Sequence, residues 1–141
     1  MVHFQLVTLG GVKLDTEAYE ILLPTLDGII GVLPGHMPLI SAATHGVVSV
    51  RRSASDKDDM MDHFAISGGV IEVADNTLRV LVDEADHAEE INEAEAQKAY
   101  ELAQRMKKEA KDQVSLEHAQ TLVDRSAVRL QVAGLKRRQR R

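Results

Sequence analysis

The chain has no cysteine and no tryptophan, and only two phenylalanines, two tyrosines and three prolines among its 141 residues. Without cysteine there is no disulfide framework, no thiol nucleophile and no thiolate-held zinc. No stretch approaches the roughly 20 apolar residues that a membrane span requires. The opening MVHFQLVT lacks the positive start and apolar run of a secretory leader, so the sequence reads as cytoplasmic. With aromatics at 3%, a core must be assembled from Val, Ile, Leu and Ala, which suits a part of an assembly better than an independent binder with aromatic hot spots. What is present, 44% hydrophobic and 28% charged residues, is the balance of a soluble globular protein. The length fits one domain or a small domain with an appendage.

Turn residues divide the chain. All three prolines and eight of the nine glycines lie before residue 70, and Gly134 alone follows. From Met1 to about Asp86, apolar residues alternate over short stretches: Val2, Phe4 and Leu6; Val12 and Leu14; Val48 and Val50; Phe64 and Ile66; Leu78, Val80 and Val82. That is strand periodicity. The breaks carry turn chemistry: Gly10-Gly11, Asp27-Gly28, Pro34-Gly35, the polar stretch 53–59, Gly68-Gly69 and Asp75-Asn76. Many short strands at regular spacing predict a sandwich or barrel.

Beyond residue 88 the chain turns to Ala, Glu, Gln, Lys and Arg, with no breaker for over forty residues. Asn92 followed by Glu95 has the form of a capping box, predicting a first helix from about Glu93 to Lys111. Its stripe is Ala96, Ala99, Ala103, Met106 and Ala110. Ser115 is the expected second cap, with Leu116, Ala119, Val123, Ala127 or Ser126, Leu130 and Ala133 on the buried side. The fold class is therefore α+β: an N-terminal all-β sandwich of about ten short strands over residues 1–86, then an antiparallel two-helix hairpin over 87–141. An alanine seam buries little area, so the hairpin is expected to open at a cost of a few kcal/mol.

Catalytic patterns are absent. There is no GxxxxGK[ST] loop, no GxGxxG after a strand, no HExxH and no GxSxG elbow. His3, His36, His45, His63, His87 and His118 have no metal-ligand spacing and read as surface or hydrogen-bonded side chains. No catalytic, cofactor or metal residue is assigned, and the chain is expected not to be an enzyme.

The segment 23–40, LPTLDGIIGVLPGHMPLI, is the most specific. It combines a turn at Asp27-Gly28, a short strand through Ile29 and Ile30, and a Pro34-Gly35 turn presenting His36 and Met37. This segment resembles the signature of the epsilon subunit of bacterial-type F-type ATP synthases, equivalent to the mitochondrial delta subunit. The block 65–73, AISGGVIEV, followed by Asp75-Asn76 and 78–83, resembles the family's next hairpin, and the likeness extends over the helices.

The resemblance implies a central-stalk subunit of a proton-translocating synthase. Its sandwich would be held by the gamma subunit and would face the c subunits of the rotor ring through Gly31, Pro34, Gly35, His36, Met37 and Pro38. Its helices would be regulatory, restraining ATP hydrolysis in an extended form in which basic residues meet the beta and alpha subunits of the catalytic head. Arg125, Arg129, Lys136, Arg137 and Arg138 are the residues so assigned. Arg125 and Arg129 are four apart and share a helix face. The last six residues hold five of the 17 basic residues, leaving 12 against 22 acidic ones in the remainder, an asymmetry that points to an electrostatic partner. Nucleic acid is not that partner, because an acidic body repels phosphates and no aromatic platform accompanies the tail.

Some members of the family bind ATP through Ile or Leu, Asp, two residues, Arg and Ala. Here the matching stretch is Ile91-Asn92-Glu93-Ala94-Glu95-Ala96, with Asn for Asp and Glu for Arg, so ATP binding is expected to be weak or absent. The chain would lie on the cytoplasmic side of the inner membrane, associated with it only through the complex. The competing reading is a generic protein adaptor with no motor role.

Overall fold

The computed structural model describes residues 1–139, so Arg140 and Arg141, two of the five terminal cations, lie outside the described residues. Ten strands come first: β1 (Val2–Thr8), β2 (Gly11–Ala18), β3 (Glu20–Thr25), β4 (Gly28–Val32), β5 (Leu39–Ala43), β6 (Gly46–Arg51), β7 (Asp62–Ile66), β8 (Gly69–Ala74), β9 (Thr77–Val82) and β10 (Ala85–His87). Two helices follow, α1 (Glu93–Glu109) and α2 (Gln113–Gln139).

The strands form two layers. One runs β4-β3-β6-β7-β10 and the other β5-β8-β9-β1-β2, joined where β3 meets β5 through the single pair Thr25↔Ala43. All pairings are antiparallel except β1 with β9. Alternation explains the arrangement. Phe4, Leu6, Ile21, Leu23, Val48, Val50, Phe64, Ile71, Leu78 and Val80 point inward and share one core. At Asp75-Asn76 both residues have positive φ, 50° and 59°, as a two-residue hairpin turn of matching twist demands. Val12, expected among the core alternations, is instead 64% exposed, because β2 is an edge strand with a bulge opposite Leu6 and Val7.

The first helix begins as expected, at Glu93 with Asn92 as its cap, whereas the second does not. Asn92 Oδ1 accepts the Glu95 N–H at 3.1 Å, which caps α1, while the reciprocal capping box lies earlier, between His87 and Glu90. Asp112, not Ser115, begins α2: its carboxylate accepts the Ser115 N–H at 2.7 Å, and its carbonyl accepts from Leu116. An anionic carboxylate three residues nearer the joint wins because it satisfies an orphan donor and also complements the helix dipole. In the seam, Ala96, Ala103, Ala119, Val123, Ser126 and Ala133 are buried, whereas Ala99 and Ala127 are exposed, so of the two alternatives at this step of α2 Ser126 faces inward.

The C-terminal half of α2 lies against the outer face of β6 and β7. Val132 is fully buried with Ala65 and Ala88, and Val47, Ile91 and Val128 pack around them. The hairpin is thus folded down onto the sandwich.

Candidate interaction surfaces

Three outward features stand on different sides of the sandwich. The first is the loop between β4 and β5. His36 N–H donates to the Leu33 carbonyl at 3.1 Å, and Gly35 has φ +82°, so Leu33 to His36 form a turn with proline second and glycine third. Gly35 N–H also donates to Asn76 Oδ1 at 3.1 Å, and Asn76 Nδ2 donates to the Met1 carbonyl. One asparagine in the β8–β9 turn therefore pins the loop to the N-terminus. Pro34, Gly35, Met37 and Pro38 are exposed, Met37 to 73%. His36 is half-buried, with Nδ1 2.6 Å from the Met37 carbonyl, so the loop offers Met37 more than His36. Gly31 belongs to β4, where an added Cβ would sit 3.4 Å from Leu22.

The second feature is a band of apolar side chains across the outer face of the other layer. Cross-strand pairing lines up Ala42, Val70, Leu81, Val7 and Val12, one residue from each of five strands. Val70 is 47% exposed, and Leu81 and Val12 are also open to solvent. Beside the band runs a polar ladder in which Arg79 donates to Gln5 and Gln5 to Asp15, while His3 bridges Asp15 and Glu17. The Glu17 bond raises the His3 pKa, with further help from Asp15. Sequence reading by alternation missed this band. Its signal was the unbroken apolar triplet Val80-Leu81-Val82, in which the residue between two core positions is apolar as well, and the apolar pair Val70-Ile71.

The third feature is the basic side of α2. Arg125 lies 3.4 Å from Glu84, Arg129 3.6 Å from Asp86, Lys136 2.7 Å from Glu89 and Arg137 2.6 Å from Glu93. Arg138 lines a cavity of about 480 Å³ between the strand face and the end of α2, with Leu22, Val47, Met61 and Leu135. His63 lies there too, only 8% exposed, its Nδ1 2.8 Å from Ser49 Oγ. Burial lowers its pKa and the neighbouring His87 adds to this, while Asp62 opposes it. Nearby, Lys13 holds Glu90 at 2.6 Å and keeps its carboxylate below the usual range.

Among the described residues, no group of three or more His, Asp or Glu side chains is placed to hold a metal, and no helix is long and apolar enough to cross a membrane. A ten-stranded sandwich carrying a folded-down helical pair defines the structural class.

Comparison with known proteins narrows that class. The family model described as ATP synthase, Delta/Epsilon chain, beta-sandwich domain matches residues 1–88. The model described as ATP synthase, Delta/Epsilon chain, long alpha-helix domain matches residues 89–134. The ATP synthase epsilon chain of Moorella thermoacetica is 32% identical over 133 residues, covering 94% of this chain and 96% of that one. That of Herpetosiphon aurantiacus is 32% identical over 136 residues, with 96% of each chain covered. A chain in the Euglena gracilis mitochondrial ATP synthase structure (OSCP/F1/c-ring, rotational state 1) shares the fold, with a TM-score of 0.78 at 24% identity over 94% of this chain and 80% of that chain. This chain belongs to the ATP synthase delta/epsilon family.

Proposed function

We propose that the chain is the non-catalytic epsilon-type subunit of the central stalk of a proton-translocating F-type ATP synthase, and that it restrains ATP hydrolysis through α2. One observation carries the reading: the features available for partners occupy separate sides of a single rigid sandwich. The apolar band fits the gamma subunit, because a row five strands wide has the flatness and aliphatic character of a permanent interface core. The loop with Pro34, Gly35, Met37 and Pro38, backed by His36 and by Gly31 in β4, meets the rotor-ring c subunits. It is pinned at Asn76, and a pinned loop loses little entropy on docking.

The cations Arg125, Arg129, Lys136, Arg137 and Arg138 reach the beta and alpha subunits of the catalytic head when the hairpin extends. Peripheral attachment on the cytoplasmic side of the inner membrane follows from the complex. ATP binding by this chain is weak or absent. Asn92 is committed to capping α1, Glu95 places an anion where a phosphate would need a cation, and Arg125 and Arg129 already face carboxylates.

The test is removal of residues from Ile91 onward in the assembled enzyme. Hydrolysis rises while assembly and proton coupling persist. Unchanged hydrolysis would remove the braking role and favour the adaptor reading.

A further inference from the structure

The four ion pairs between α2 and the segment from Glu84 to Glu93 run in one order on both sides. Arg125, Arg129, Lys136 and Arg137 meet Glu84, Asp86, Glu89 and Glu93 in turn, so an acidic stretch of about ten residues shadows more than three turns of helix. Glu84 and Asp86 lie in and beside the short edge strand β10, and Glu93 opens α1. The first two pairs are incomplete. The Arg125 and Arg129 Nε atoms are buried, yet neither has a hydrogen-bond partner among the described residues, so their carboxylates hold them by charge alone at 3.4 and 3.6 Å. A donor left in this state opposes docking. The last two pairs are close, at 2.7 and 2.6 Å, but each has one well-exposed partner, Glu89 at 64% and Arg137 at 58%. The ladder therefore holds the hairpin down weakly and can be exchanged for a better acidic surface.

We propose that the catalytic head presents an acidic surface to these cations and that the segment from Glu84 to Glu93 is an internal stand-in for it. In the docked form it occupies the cations that would otherwise engage the head, so the strength of the brake is set by competition between the two for one set of basic side chains. This rests on the braking role proposed above. Its partner chemistry is an acidic protein segment able to present several carboxylates along a helix.

The experiment exploits the absence of tryptophan and the cavity beside Leu135. Leu135→Trp provides a single reporter that emits at short wavelength when α2 is docked and shifts to longer wavelength on release. In that background, Glu84→Gln, Asp86→Asn, Glu89→Gln and Glu93→Gln together shift the docked population roughly tenfold toward release, since each such pair weighs about 1.4- to 5-fold. The same four substitutions deepen inhibition of the assembled enzyme, whereas Lys136→Ala with Arg137→Ala relieves it. Exchanging one pair, Glu93→Arg with Arg137→Glu, restores docked emission relative to Arg137→Glu alone and excludes misfolding as the cause.

If the cation variant relieves inhibition but the carboxylate variant changes neither emission nor inhibition, the stand-in is refuted and the braking role survives. If the cation variant leaves hydrolysis unchanged, the braking role is lost and the stand-in with it.

Discussion

His63 illustrates how one residue links the sandwich to the helix above it. It pairs with Ser49 across β6 and β7, on the face that Ala65 and Val47 also present to α2. Burial keeps it neutral, with a pKa below the ordinary value of 6.5. For a depressed pKa, the stability tied to the neutral form is whole above about pH 6.5 and is lost as pH falls from there through the lowered native value. Melting temperature is therefore expected to drop between pH 7 and 5 more steeply in the natural chain than in His63→Asn, which keeps a partner for Ser49 but does not titrate. Parallel slopes in the two proteins would show that His63 is not the titrating group. Gly69 offers a second test. An added Cβ there would sit 2.0 Å from the Leu81 carbonyl oxygen, a backbone atom that cannot step aside. Gly69→Ala must push β8 from β9 and is expected to destabilise the fold by several kcal/mol in chemical denaturation, within the range for overpacked and strained sites.

At the scale of the elements, strands were more legible in the sequence than helix ends or contacts. Alternation locates β1, β6, β7 and β9 because one face of each is buried in a common core, and period two survives in any single strand. It does not reveal the outer faces. The apolar band exists only once Ala42, Val70, Leu81, Val7 and Val12 are brought into register, and register is a property of pairs of strands. Asn76 read as a turn residue, yet its side chain anchors a loop some forty residues away, which no local pattern encodes. The five site cations were visible as charges, but the carboxylate partners of Arg125, Arg129, Lys136 and Arg137 became visible only with the fold. The docking of α2 can be weighed as well. Burying Val132 contributes roughly 1.5 to 3 kcal/mol, more than any one exposed ion pair and comparable with the four together, so apolar contact and charge share the hold. Val132→Ala, which removes two carbons, is expected to weaken docking by about 1.5 kcal/mol. Faster hydrogen exchange in α2 with unchanged exchange in β1 and β9 would report it; equal protection in both proteins would mean that Val132 carries no docking energy.

For the molecule as a whole, the division of labour between layers predicts what can be removed. The core around Phe4, Leu6, Ile71 and Leu78 is formed between the two strand layers and includes no helical residue. The second cluster, with Val132, lies outside it. Loss of α1 and α2 therefore uncovers Val47, Met61 and Ala65 but leaves the inner core, the Asn76-pinned loop and the apolar band in place. Truncation after Glu90 is expected to give a folded sandwich that assembles with the stalk, melts somewhat lower because the four α2 ion pairs are lost, and no longer limits hydrolysis. Co-purification with stalk subunits, together with hydrolysis rates before and after truncation, checks both halves at once. A truncated chain that fails to assemble would locate the grip in the helices and overturn the assignment of the band and loop. A truncated chain that assembles and still limits hydrolysis would move the brake into the sandwich, where the described surfaces offer apolar contact but no comparable run of cations.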